Sequence, residues 1–173
     1  MIFNFTNNYQ FATRLQLKTE NIKVVDKMKI LGTTVTNSLS WDDNCSEMIT
    51  KVNNRMRLIR NIKKFGATAQ ELVHLWIIFC RSVLEQSCVL WHSTLTQENI
   101  DDLERTQKTF AKLVLQNQYS SYKEALIKLN LLTLSDRRQH LCLNFARSGI
   151  ENNTLTDLLR KNEKKHNMIT RKN

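Results

Sequence analysis

Six cations follow one another without an intervening acid in a single stretch of this chain: Lys51, Arg55, Arg57, Arg60, Lys63 and Lys64. The chemistry open to them is electrostatic capture of phosphates, because guanidinium and ammonium groups displace the counterions condensed on a nucleic acid. Lys51 and Arg55 stand one helical turn apart, as do Arg60 and Lys64. Like charges at that spacing repel, so a helix that tolerates them is expected to have a polyanion nearby. Six phosphate contacts would give a log–log salt dependence of affinity with a slope of about −5. The holding role requires the cations to be displayed along one cylinder, neither scattered around its girth nor turned inward against carboxylates. The competing reading is a solvated basic face that only keeps the chain soluble.

Catalytic groups are not assembled by spacing. Asp42 and Asp43 open the amphipathic stretch, where their charge suits the positive end of a helix dipole better than a two-metal site. Glu98, Asp101, Asp102 and Glu104 crowd a second helix start in the same way. His74, His92, His140 and His166 are scattered without a Ser or Cys partner, so nucleophilic catalysis has no support. Cys88 and His92 lie one turn apart, but two ligands make a poor metal site. With Cys45, Cys80 and Cys142, Cys88 reads as a reduced thiol of an intracellular protein, there being no Cys-x-x-Cys pair. No catalytic residue, metal ligand or cofactor is therefore expected in this chain.

The elements that must carry the cations follow from composition and period. The chain has 173 residues, 41% of them hydrophobic, with 26 Lys and Arg against 16 Asp and Glu for a formal charge of +10. Such a field attracts polyanions, nucleic acid first and an acidic membrane surface second. No proline and only three glycines occur, which favours long helices. No apolar run is long enough to span a membrane and no signal peptide is recognisable, so an intracellular chain, nuclear or cytoplasmic, is expected.

Residues 1–40 carry short extended patterns: Met1 to Phe5, Leu15 to Leu17, Ile22 to Val25 and Met28 to Val35, with a turn at Asn7-Asn8. From Trp41 the period becomes helical, with Ile49, Val52, Met56, Ile59 and Ile62 inward, and Gly66 in the position of a left-handed C-cap. A second helix, about Ala69 to Trp91, places Leu72, Trp76, Phe79 and Val83 on one face and is apolar enough to be the centre of the core. A third, about Glu98 to Gln116, sends Ile100, Leu103, Phe110 and Val114 inward, with Gln107 interrupting the stripe. Ser121-x-x-Glu124 has capping-box spacing before a short helix with Leu126 and Leu129. Ser135 is expected to cap a last helix that runs to Gly149 through Leu141, Cys142 and Phe145. The fold class is mainly α: a helical bundle over residues 41–149 preceded by a small antiparallel β segment over 1–40, with a basic, partly disordered tail over 150–173.

Four segments in this order resemble a known family. Lys29-Ile-Leu-Gly-Thr-Thr-Val-Thr-Asn-Ser-Leu-Ser-Trp41 is similar to the "LG, then L-x-W" signature that follows the palm in reverse transcriptases of non-LTR, LINE-type, jockey-like retrotransposons. Val83-Leu84-Glu85 to Leu90-Trp91 resembles a further segment of that family. Leu103-Glu104-Arg105-Thr106-Gln107-Lys108 resembles its "L-E-x-x-Q-k", and Ser121-Tyr122 with Leu129-x-Leu131-x-x-Leu134-x-x-Arg137-Arg138 its "s-Y... L-x-L-x-x-L-x-x-R-R". The resemblance implies the last strands of a palm, then a thumb-like bundle and the region after it, with Leu31 and Gly32 near a primer grip. The family's Tyr-x-Asp-Asp motif is missing, so the Mg²⁺ of the parent polymerase has no ligands here and the chain is expected to be inactive alone. Its implied role is to hold RNA or an RNA–DNA hybrid by the phosphates while fingers and palm on another polypeptide do the chemistry, with no membrane partner. A helical protein-interaction module, or a decayed element without selected activity, remains the alternative.

Overall fold

The computed structural model describes residues 16–17, 20–21, 25–152 and 154, with side chains from Val25 onward. The expected strand Met1 to Phe5, the Asn7-Asn8 turn and the basic tail beyond Thr154 lie outside the described residues. The chain is mainly α, with a small antiparallel β segment before the helices, as expected.

Two short pairs precede the bundle. Strand β1 (Gln16–Leu17) pairs antiparallel with β2 (Glu20–Asn21), and β3 (Lys27–Ile30) with β4 (Thr33–Thr36) in the register Met28 to Val35 and Ile30 to Thr33. The stretch Met28 to Val35, which alternation alone renders as one extended segment, is a hairpin folded at Leu31-Gly32. Both turn residues have positive φ, 48° and 85°, the geometry of a two-residue primed turn. Of the expected strand Ile22 to Val25, residues 22–24 lie outside the described residues and Val25 stands outside any strand.

Helix α1 (Asp42–Lys64) follows, with Cys45, Met48, Val52, Met56 and Ile59 buried at three- and four-residue steps and Ile49 and Ile62 packed beside them. It ends at Phe65 and Gly66, where φ is +92°, as the C-cap reading expects. Thr68 starts α2 (Ala69–Leu75) through a complete capping box with Glu71. The expected single helix to Trp91 is broken twice. A π turn occupies Trp76–Arg81, α3 covers Ser82–Glu85, and after a kink at Gln86 and Ser87, whose φ is 53°, α4 covers Cys88–Trp91. A π turn takes one residue more than an α turn, so Leu72, Trp76, Cys80 and Leu84 track the core at steps of four. Phe79, expected inward, is turned out and 44% exposed.

Thr96 caps α5 (Gln97–Leu115), which buries Leu103, Gln107 and Phe110, with the Trp76 and Phe110 rings stacked at 4.6 Å. Ser121 caps α6 (Tyr122–Leu129) by accepting Glu124 N–H at 3.3 Å, half of the expected capping box, while the Glu124 carboxylate accepts from Ser120 instead. Helix α7 (Leu134–Glu151) is capped by Thr133, whose hydroxyl accepts Asp136 N–H at 3.0 Å. Ser135, the expected cap, is one residue inside the first turn, because Leu134 is drawn into the core. Phe145, within the expected helix, is 53% exposed. No single helix among the described residues is long and apolar enough to cross a membrane. The bent pair Ala69–Glu85 and Cys88–Thr94, apolar enough in combination, has Trp76, Cys80, Leu84 and Trp91 wholly buried, as a core element does.

Candidate nucleic-acid interface

The first cations to place are those of α1. At 3.6 residues per turn, Lys63 continues the buried line Val52, Met56 and Ile59. It is half-buried, and its ammonium donates to the carbonyl oxygens of Leu113 and, at 3.3 Å, Val114. Those are last-turn carbonyls of α5 that lack intrahelical donors, so Lys63 closes the end of a neighbouring helix. Burial lowers its pKa. Its role is structural, and it leaves the set of candidate contacts.

Lys51 and Arg55 sit on one flank of the buried stripe. Lys51 is half-buried near Glu47, which Lys29 holds at 2.6 Å and Thr34 at 2.8 Å. These bonds, Lys29 first, lower the Glu47 pKa. Arg55 is exposed and donates to the carbonyl oxygen of Phe79, inside the π turn. Arg57, Arg60 and Lys64 are exposed on the opposite flank. By helical geometry Arg55 and Lys64 point roughly 180° apart. The expectation that six cations clasp a polyanion along one line of the cylinder is therefore corrected: they divide into two flanks and one inward lysine. None of the six is ion-paired among the described residues, where the cations in salt bridges are Lys27, Lys29, Arg81, Arg105 and Arg137.

The flank of Arg57, Arg60 and Lys64 borders α5. Asp42, five turns before Arg60 on the same line, accepts from Asn99 Nδ2 at 2.6 Å at the start of α5. Lys63 meets Leu113 at its end, so the two helices run parallel. The outward face of α5 adds Lys108 and Lys112, both exposed. Arg57, Arg60 and Lys64 on the C-terminal half of α1 and Lys108 and Lys112 on that of α5 are thus five exposed cations on two parallel helices; Lys64 and Lys112, like the inward Lys63, stand in last turns where positive charge complements the helix dipole. The carboxylate of Asp42 is engaged within the fold. Ser40 Oγ and Asn99 Nδ2 bond its carboxylate and lower its pKa, and Asp43 pairs with Lys27 at 3.2 Å. Among the described residues no group of three or more His, Cys, Asp or Glu side chains is placed to hold a metal.

Leu31 and Gly32 form the hairpin tip, with Leu31 91% exposed. Gln86 Nε2 donates to Leu31 O at 2.9 Å, pinning the tip to the kink after α3. A Cβ on Gly32 would stand 2.5 Å from Gln86 Nε2, the far end of an exposed flexible side chain, so glycine here leaves room for the amide to reach Leu31 O and another residue would displace it.

Polar residues to which the sequence reading gave no structural partner form a buried network. Gln107, read as a break in the α5 stripe, is wholly buried; its Oε1 accepts Trp76 Nε1 at 3.2 Å, and its Nε2 donates to Tyr122 Oη at 3.1 Å and Leu132 O at 2.8 Å. Tyr122 in turn donates to Glu104, which also accepts Leu134 N–H at 3.0 and 3.1 Å. Arg137 reaches back to Glu85 at 3.1 Å. Two of the segments that carried the family resemblance, one containing Glu104 and Gln107 and the other Tyr122 and Leu134, therefore share one polar network, and a third is joined to the last through Glu85 and Arg137. An apolar stripe broken by Gln107, together with the resembling segments that contain Glu104 and Tyr122, was the signal available.

Comparison with protein-family models, with curated proteins and with solved structures finds no match in any of the three.

Proposed function

We propose that the chain is the nucleic-acid-holding, thumb-like region of a non-LTR reverse transcriptase, gripping RNA or an RNA–DNA hybrid by its phosphates and contributing no catalytic aspartate. The contact surface is the ridge of Arg57, Arg60 and Lys64 on α1 with Lys108 and Lys112 on α5, in place of the six α1 cations taken together. The observation that carries this reading is a cluster of five exposed cations, none of them in an ion pair among the described residues, on two parallel helices. The ordered set of four segment resemblances supports the parentage, and the polar bonds that join the last three of them, Gln107 with Tyr122, Tyr122 with Glu104 and Arg137 with Glu85, suit segments that define a fold rather than a reaction.

Filter binding of a labelled RNA–DNA hybrid across a salt series is the test. Contacts through the five cations give a log–log slope of about −4 to −5. Replacing Arg57, Arg60 and Lys64 by Glu removes most of that slope, whereas Lys51→Glu leaves it nearly unchanged. Binding that ignores salt, or that survives the triple replacement, favours the protein-interaction reading and ends this one.

A further inference from the structure

Arg138 lies one turn beyond Leu134 on the inner line of α7 and has no solvent exposure. Its guanidinium sits over the indole of Trp91, 5.6 Å from the ring centroid. Its Nε, Nη1 and Nη2 are all buried, and none has a protein acceptor among the described residues; the same holds for Nδ1 of neighbouring His92. A buried charge ordinarily has an opposite charge and hydrogen bonds within reach.

The groups that could supply them are committed elsewhere. Glu85 is shared between Arg81 at 3.5 Å and Arg137 at 3.1 Å. Glu104 accepts from Tyr122 and from Leu134 N–H. The indole N–H of Trp91 points at Gln86 O, 3.0 Å away. Three guanidinium groups are thus set against two carboxylates, an excess of one positive charge. The thiols of Cys45 and Cys88 do not offset it, since burial pushes both up to about 11 and keeps them neutral.

We infer that Arg138, with His92 beside it and Trp91 beneath it, forms an internal site for one small monovalent anion, with chloride as the physiological occupant. Buried water would supply acceptors to the guanidinium but no countercharge, and a halide supplies both. Full enclosure excludes phosphodiesters, so this site is separate from the basic ridge and does not depend on the proposed function.

Thermal unfolding of the full chain at fixed ionic strength, with sodium chloride exchanged stepwise for sodium gluconate, tests it. Binding to the folded state alone raises Tm with chloride, linearly in its logarithm above the dissociation constant. Arg138→Met, which removes the charge at similar volume, abolishes the chloride dependence. For the unaltered chain, crystals grown in bromide show an anomalous peak within hydrogen-bonding distance of the Arg138 guanidinium, an observation that stands even if the variant fails to fold. A Tm indifferent to the anion, or water at the guanidinium with no bromide peak, overturns the inference.

Discussion

The buried Gln107 amide and the Trp76 indole are locked together at 3.2 Å across the centre of the bundle, and the same amide holds Leu132 O at 2.8 Å on the link into α7. One side chain thereby fixes three segments. Gln107→Leu keeps the volume but leaves an indole N–H, a carbonyl and part of the Tyr122 hydroxyl's bonding without partners. Each buried unsatisfied group costs about 1–3 kcal/mol, so the variant should lose roughly 2–5 kcal/mol in urea unfolding. A loss below about 0.5 kcal/mol would show that the network does not hold the core.

Trp76 and Phe79, three residues apart, should behave oppositely to each other although the helical period puts them on one face. Trp76 has no exposure and stacks on Phe110, so Trp76→Ala should cost about 3–5 kcal/mol. Phe79, 44% exposed in the π turn, should cost less than about 1.5 kcal/mol on truncation. Denaturant midpoints of the two variants at equal m-value measure the difference, and equal losses would mean that the turn restores an α register in solution.

That pair shows where the sequence is legible. The buried stripe of α1 could be read because Val52, Met56 and Ile59 repeat with the helix's own period, and Gly66 because a left-handed cap has a local residue preference. Phe79 could not, because inserting one residue into a turn is decided by how Trp76, Cys80 and Leu84 seat against α1 and α5. Lys63 could not either. Nothing local distinguishes it from Lys64, and only the arrival of the α5 carbonyls turns it from a candidate phosphate ligand into a cap. Charge runs report where cations are and leave open which flank they face, which is why the six cations of α1 had to be sorted by packing.

Gly32 and Gly66 both adopt positive φ, yet their substitution should differ in kind. Gly66 has open space around it, so Gly66→Ala meets backbone strain alone, about 1–2 kcal/mol. At Gly32 a Cβ would meet Gln86 Nε2 at 2.5 Å, so Gly32→Ala adds loss of the bond to Leu31 O. A double-mutant cycle with Gln86→Ala should show coupling of roughly 0.5–2 kcal/mol for Gly32 and none for Gly66. Strictly additive losses at Gly32 would mean that the hairpin tip is not held by Gln86.

Alkaline unfolding should report the buried thiols. Cys45, Cys80 and Cys88 are each raised by burial from the ordinary 9.0 to about 11. Between those values the unfolded chain loses thiol protons while the folded chain keeps them, so the unfolded state binds fewer protons and stability falls as pH rises. The contribution is fully present below the unfolded value and each thiol removes up to about 1.4 kcal/mol per pH unit within the window. Urea unfolding under reducing conditions should therefore show a steep decline from about pH 9 to about pH 11, blunted in Cys80→Ala once its own cavity cost is subtracted. Cys80 is the cleanest of the three to test, because it sits at the heart of the π turn, away from Arg138, where burial is the first cause and only Arg55 opposes it. A flat profile over that range would place these thiols in contact with water, and the step-of-four packing of Trp76, Cys80 and Leu84 would have to be abandoned with it.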